Sequence, residues 1–191
     1  MTTRLHLLCS ASTSSVSSIA FAADEPLDPR GRESLKRLSG RLPSCDIVLR
    51  SPALSAAQTA EGLALNARTE PFLRDCDFGR WAGRSLAEVQ AQTPGAVADW
   101  VQNPHAAPHG GESFADVMTR VGRWMDSLVA GNGSVLAITH STVIRAAIAH
   151  ALGAGPEIFR HINVAPLART KLSGGGGRWT LVALVSLKDE R

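Results

Sequence analysis

Three features of the chain predict an α/β fold: a three-layer sandwich whose central sheet is mostly parallel, with helices on both faces and a C-terminal β-hairpin. Apolar β-rich runs alternate with helix-like segments along the whole length. Two of those runs, Ile47-Val48-Leu49 and Val135-Leu136-Ala137-Ile138, are continuously apolar, as strands buried on both faces must be. The last stretch reads as two strand-like segments, 165–172 and 179–187, joined by Ser173-Gly174-Gly175-Gly176-Gly177, a mobile hairpin tip. At 191 residues, one domain spanning 1–191 is expected, long enough to bury a substantial core.

The first strand covers 5–9 and breaks abruptly into Ser10-Ala11-Ser12-Thr13-Ser14-Ser15. A strand that empties into a small polar turn is where an α/β sheet places groups that meet a ligand. The second strand, 46–49, runs to Ser51-Pro52, read as an N-cap with proline at the first position of a helix over 52–65. A third strand is expected over 70–73. Ser85-Leu86-Ala87-Glu88 and Ser113-Phe114-Ala115-Asp116 have capping-box spacing. The second of these opens a helix with Phe114, Val117, Val121, Trp124, Met125 and Leu128 on one face, stopping at Gly131. The strand over 135–139 leads into a helix over 141–152, closed by Gly153. The glycine run at 173–177 precedes a strand rather than a helix, so it is not read as a phosphate cradle.

Composition excludes several classes. An apolar fraction of 44% and a charged fraction of 19% describe an ordinary globule. The net charge is only +3 and no basic run interleaved with aromatics occurs, which argues against nucleic acid. No apolar stretch is long enough for a membrane span. Arg4, the Leu-rich stretch and Ala20-Phe21-Ala22 mimic a secretory signal, but six serines and Thr13 between Ser10 and Ser18 interrupt its centre. Cys9, Cys45 and Cys76 form no C-x-x-C pair, the pattern of reduced thiols in a cytoplasmic protein. His105 and His109 sit at H-x-x-x-H spacing around Ala106-Ala107-Pro108; proline precludes the regular helix that would make this a metal pair. No metal or cofactor is expected.

Short segments then fall beyond the expected strand ends, and their wording is familiar. Ser51-Pro52-Ala53-Leu54-Ser55-Ala56-Ala57-Gln58-Thr59-Ala60 resembles the "SSPLxRAxQTA" segment of the histidine phosphatase superfamily, the phosphoglycerate-mutase-like proteins. Asp75-Cys76-Asp77-Phe78-Gly79-Arg80-Trp81-Ala82-Gly83 is similar to its "ExxFGxWEG" turn, and Gly110-Gly111-Glu112-Ser113 to its "GGES" loop. Ala137-Ile138-Thr139-His140-Ser141-Thr142-Val143-Ile144-Arg145 resembles its "VxHGxxIR" strand end. Pro26-Leu27-Asp28-Pro29-Arg30-Gly31-Arg32 is similar to its "PLTxxGR" helix entrance, and the resemblance covers essentially the whole chain in order.

The opening turn departs from the family. There the first strand ends in Arg-His-Gly-Glu-Thr, whose histidine becomes phosphorylated; an ungapped match places Cys9 at the arginine, Ser10 at the nucleophile, Ala11 at the glycine and Ser12 at the glutamate. The resemblance further puts Ser55 at a second phosphate-binding arginine and Asp75 at the general-acid glutamate, and retains His140 in kind. The expected catalytic positions are therefore Ser10, Asp75 and His140, and the expected phosphate or ligand contacts Cys9, Ser55, Ser113 and Ser141.

Phosphoryl transfer in this family needs a nitrogen nucleophile and cationic donors around the phosphoryl group. Each charge-assisted hydrogen bond contributes about 1.5–3 kcal/mol, so losing two arginines and a histidine removes several kcal/mol of phosphate binding. Cys9 lacks the arginine that follows the cysteine nucleophile of phosphatases after five residues, the corresponding position being Ser15. The leading expectation is a pseudophosphatase kept as a binding or regulatory module; the alternative is an active phosphomonoesterase using Ser10 with His140 as base. Expected partners are a small phosphorylated or polar metabolite, an unidentified protein, or a second copy in a homodimer, as in many relatives. A guanidinium brought in from elsewhere, Arg80 or Arg84 for example, would restore the missing charge.

Overall fold

The structure is a computed structural model that describes residues 2–38, 40–129 and 133–186. Strand β1 (Thr3–Cys9) lies between β4 (Ser134–Thr139), which runs parallel to it, and β5 (Arg169–Gly175), which runs antiparallel. With β2 (Ile47–Arg50), β3 (Arg68–Thr69) and β6 (Arg178–Val185), the six-stranded order is β3-β2-β4-β1-β5-β6. The β3, β2, β4 and β1 half is parallel and β5–β6 is the terminal hairpin. Every residue of β4 is buried, which explains why its sequence is apolar without alternation.

Both sheet faces are covered. On one, Leu5, Leu7 and Cys9 pack with Val117, Val121 and Met125 of α6 (Phe114–Leu128) and Ile144 and Ile148 of α7 (Ser141–Leu152). On the other, Leu8, Leu136 and Ile138 meet Leu35 and Leu38 of α2 (Pro29–Leu38) and Ala56 and Ala60 of α3 (Leu54–Gly62). Alternation along β1 therefore sorts one strand into two cores. Three short helices, α1 (Ser14–Ser18), α4 (Leu86–Gln92) and α5 (Ala96–Gln102), complete the layers around the sheet's carboxyl end.

The capping boxes form as spaced. Ser85 accepts from the Glu88 amide while Glu88 accepts from the Ser85 amide, and Ser113 and Asp116 do the same at α6. Gly153 adopts φ 62° at the end of α7, the left-handed C-terminal position where glycine carries no Cβ penalty. The expected stop at Gly131 and the end of the 179–187 strand at Leu187 lie outside the described residues.

Three expectations are corrected. The strand over 70–73 is instead the two-residue β3 followed by a 3₁₀ turn, Pro71–Leu73. Pro71 has no N–H to donate to a ladder, and the Glu70 carboxylate accepts from the Phe72 amide, closing the turn. The helix over 52–65 begins at Leu54, with Ala53 at its N-cap. Its free Leu54 amide donates to the distant Asp24 carboxylate rather than to Ser51. The final hairpin starts later than 165–172: Ser173, Gly174 and Gly175 are in β5, and the turn is only Gly176-Gly177, both at positive φ. Gly174 belongs in the strand because Trp179 covers it, its ring within 2.9 Å of where a Cβ would stand.

Gly31 shows how tightly the first turn is tied to α2. Asp28 accepts from the Ser12 hydroxyl and the Gly31 amide, and its own amide donates to the Ser12 carbonyl. A Cβ on Gly31 would meet the Ser12 carbonyl oxygen at 2.3 Å. In an unobstructed helix Gly→Ala stabilises by roughly 0.5–1 kcal/mol; here overpacking reverses the sign. Gly31→Ala should destabilise by about 1–3 kcal/mol, read from the urea midpoint at unchanged m-value.

Candidate functional site

Parallel pairing sets Cys9 opposite Thr139, so the residues that follow, Ser10 and His140, leave the sheet side by side. The Ser10 amide donates to the Thr139 carbonyl at 2.7 Å and fixes this exit. Here a cavity of about 460 Å³ opens, lined by Cys9, Ser10, Ser55, Asp75, His140 and Ser141 among others. Six of the seven positions expected from sequence thus converge. Ser113 does not: it is buried at the N-terminus of α6, its hydroxyl donating to Asp116 at 2.7 Å. The capping role that its spacing implied consumes the side chain that the resemblance assigned to a ligand.

His140 is held from two sides. Its Nε2 lies 2.8 Å from the Ser51 hydroxyl, and its Nδ1 faces the Asp75 carboxylate at 3.7 Å. The arrangement is satisfied when the Ser51 hydroxyl donates to Nε2 and the ring proton sits on Nδ1, toward the carboxylate. Ser51 is fully buried and also accepts from the Ala53 amide, so it orients the imidazole from behind. Sequence analysis reads Ser51 as a helix cap; in the structure its hydroxyl and the Asp75 carboxylate flank the His140 ring. No hydrogen bond joins Ser10 to His140, whose two ring nitrogens face Ser51 and Asp75.

Asp75 is placed by a buried ion pair that the sequence did not disclose. Arg120, from α6, donates through Nε and Nη2 to both oxygens of Glu112 at 2.8 and 2.9 Å. The same guanidinium donates to the carbonyls of Phe72, Arg74 and Asp75. Glu112 in turn accepts from Arg74 and from the Asp77 amide. Glu112 of the Gly110-Gly111-Glu112-Ser113 loop thereby clamps the turn that carries Asp75 and Asp77 into the cavity. Gly111 is required at this junction, where a Cβ would lie 1.9 Å from the Asp77 carbonyl oxygen.

The cavity's charge is the reverse of a phosphate site. Asp24, Glu25, Asp75 and Asp77 line it, and among the described lining residues there is no lysine or arginine. Asp24 and Glu25 arrive because they close helix starts: Asp24 accepts from the Leu54 amide at α3, and Glu25 from the Ser15 amide at α1. Neither Arg80 nor Arg84 comes in; Arg80 donates to the Pro108 carbonyl and Arg84 to that of Glu88. Arg145 of α7 is the cation whose charge is felt at both Cys9 and Asp75. It lines a separate cavity of about 160 Å³ with Trp100, Phe114 and Phe159, and its burial opposes its charged form.

Burial opposes the thiolate form at each of the three cysteines. All three cysteines are free. Burial, reinforced by the Asp75 charge, pushes the Cys9 thiol up to about 12, and burial with the same neighbour raises Cys76 as well. His109 lies in an aromatic cluster with Phe78, Trp81 and Trp100. Burial lowers its pKa, and its Nδ1 accepts from the Gly111 amide. The described residues hold no group of three or more His, Cys, Asp or Glu side chains suited to a metal ion, and no described helix is long and apolar enough to cross a membrane.

Comparison with known proteins agrees with this geometry. The family model of the histidine phosphatase superfamily (branch 1) matches residues 11–186. A bifunctional protein of Mycobacterium tuberculosis is 33% identical over 126 residues, 64% of this chain and 35% of that protein. The chain therefore spans about a third of the length of this curated relative. Among solved structures, the α-ribazole phosphatase of Shigella flexneri superposes with a TM-score of 0.86 at 26% identity, covering 96% of both chains. A mycobacterial glucosyl-3-phosphoglycerate phosphatase solved with VO3 has a TM-score of 0.78 at 28% identity, covering 94% of this chain and 97% of that one.

Two outcomes follow from this arrangement. Because the folded Cys9 thiol keeps its proton after an unfolded one, at 9.0, has lost it, its contribution to stability is complete below about pH 9 and drains away as pH rises toward 12. The unfolding free energy should fall by up to about 1.4 kcal/mol per pH unit above pH ~9 for such a thiol, a slope that Cys9→Ala should reduce in pH-dependent urea titrations. Arg120→Ala, which leaves Glu112 with only Arg74 and the Asp77 amide and removes the donor to the Phe72, Arg74 and Asp75 carbonyls, should cost about 3 kcal/mol of stability by the same measurement.

Proposed function

We propose that this chain, which belongs to the histidine phosphatase superfamily, is a pseudophosphatase: a family fold retained as a ligand-binding or regulatory module without phosphohistidine chemistry. The observation that carries this reading is the composition of the cavity wall, which Ser10, at the nucleophile position by resemblance, lines together with Asp24, Glu25, Asp75 and Asp77 and to which no described lysine or arginine contributes. A phosphomonoester entering there would exchange hydration for like charge, with His140 and the N-terminus of α7 as the compensating dipoles. Deleting the nucleophile alone costs roughly a million-fold in kcat in a well-characterised hydrolase. Losing the cationic donors removes transition-state stabilisation in addition.

The two solved structures named above are phosphatases by name, and their substrates belong to them. An active phosphomonoesterase would use Ser10 with His140 as base, although no hydrogen bond joins the two and the ring nitrogens of His140 face Ser51 and Asp75 instead. That arrangement is disfavoured against the pseudophosphatase reading.

The test is a turnover assay of the purified protein on p-nitrophenyl phosphate, phosphoserine and sugar phosphates, alongside the His140→Ala and Ser10→Ala variants. No release of phosphate above background is expected for any of the three proteins. Turnover that disappears in His140→Ala would overturn the reading, and its additional loss in Ser10→Ala would establish the rewired enzyme instead.

A further inference from the structure

We propose that the cavity beside Ser10 binds a small organic ammonium compound rather than a phosphate; this rests on the pseudophosphatase reading and specifies the ligand of that same site. Two independent observations point to it. The first is charge: Asp24 and Asp77 at the rim, with Glu25 and Asp75 deeper, face one cavity that no described lysine or arginine lines. Each carboxyl group has one oxygen committed to a backbone amide: Asp24 to Leu54, Glu25 to Ser15, Asp75 to Cys76 and Asp77 to Gly79. Among the described residues the other oxygen of Asp24, Glu25 and Asp77 has no donor, and that of Asp75 faces His140 from beyond hydrogen-bond length.

The second observation is a set of unpartnered hydroxyls. Ser10, Ser55 and Thr142 are only 8%, 6% and 7% exposed, all line the cavity, and none of their hydroxyls makes a hydrogen bond to a described residue. Their oxygens are not sealed from solvent but open onto one space, where a polar ligand can complete the hydrogen bonds that such enclosed side chains normally make. An ammonium group supplies donors only, which suits both carboxylate oxygens and hydroxyl lone pairs. Phosphate supplies acceptors, which suit the hydroxyls but repel the carboxylates. The opposing feature is the N-terminus of α7 at Ser141 and Thr142, equivalent to about half a positive charge. Together with His140 and the more remote Arg145, it is outweighed by four carboxyl groups at the cavity itself.

The cavity of about 460 Å³ accommodates a metabolite-sized amine. The hydroxyls would meet polar atoms on its body.

The experiment is a thermal-shift and calorimetric titration of the full chain with spermidine and with choline, each at matched ionic strength against sodium chloride, and with inorganic phosphate as the anionic arm. The variants Asp24→Asn, Glu25→Gln and Asp77→Asn keep the carbonyl oxygen that caps a backbone amide while removing the charge. Spermidine or choline should raise Tm over the salt control, and each neutralising substitution should weaken binding about tenfold with the apo Tm preserved. Added salt should weaken it further. Amine titrations that match the salt control, neutralised variants that bind the amine equally well, or stabilisation by phosphate instead would each overturn the assignment. Failure of amine binding in a protein without phosphatase turnover sinks this inference alone, whereas His140-dependent turnover sinks the reading beneath it.

Discussion

The parallel pairing of β1 with β4 is the constraint on which the rest of the molecule depends. It is a ladder buried on both faces and placed at the centre of the sheet, so a shift of one residue would drive Leu5 and Leu7 out of one core and Leu8 out of the other. Because that register cannot move, Ser10 and His140 leave the sheet at the same level. The cavity exists because two adjacent strands end together while the chains after them diverge, one into a polar turn and the other into α7.

Around this fixed point the side chains are organised by satisfaction of backbone groups rather than by chemistry on a substrate. Asp24 and Glu25 enter the cavity because the starts of α3 and α1 need acceptors. Asp75 and Asp77 enter because Glu112 and Arg120 clamp their turn. The same polar groups that complete the local structure therefore concentrate negative charge where relatives of this fold handle an anion. In a cavity with restricted solvent, such charges act more strongly than they would on an open surface. The electrostatic character of the site is thus a by-product of how its walls are held up.

Several features could be read directly from the chain because they are local. The capping boxes at Ser85 and Ser113, the glycine stop at Gly153 and the uniformly apolar β4 involve residues within a few positions of one another, and each formed where its spacing placed it. The strand expected over 70–73 does not form there: pairing ends at Thr69, and the missing donor of Pro71 together with the Glu70 carboxylate turns the chain into a 3₁₀ segment. Ser51-Pro52 looked like a helix start by the same local logic, yet the hydroxyl was claimed by His140, 89 residues away in sequence.

By itself, the sequence determined the layered α/β architecture, the family to which the chain belongs, and the convergence of Cys9, Ser10, Ser55, Asp75, His140 and Ser141 at the strand ends, since periodicity, capping and motif order are written in neighbouring residues. Only the tertiary structure decided that Ser51 and Asp75 hold the imidazole, that Arg120 supports the acidic turn, that Ser113 is spent on its helix, and that Asp24 and Glu25 join the cavity. Those outcomes depend on which distant donor reaches a buried acceptor first, and such competition is settled by packing in three dimensions rather than by spacing along the chain.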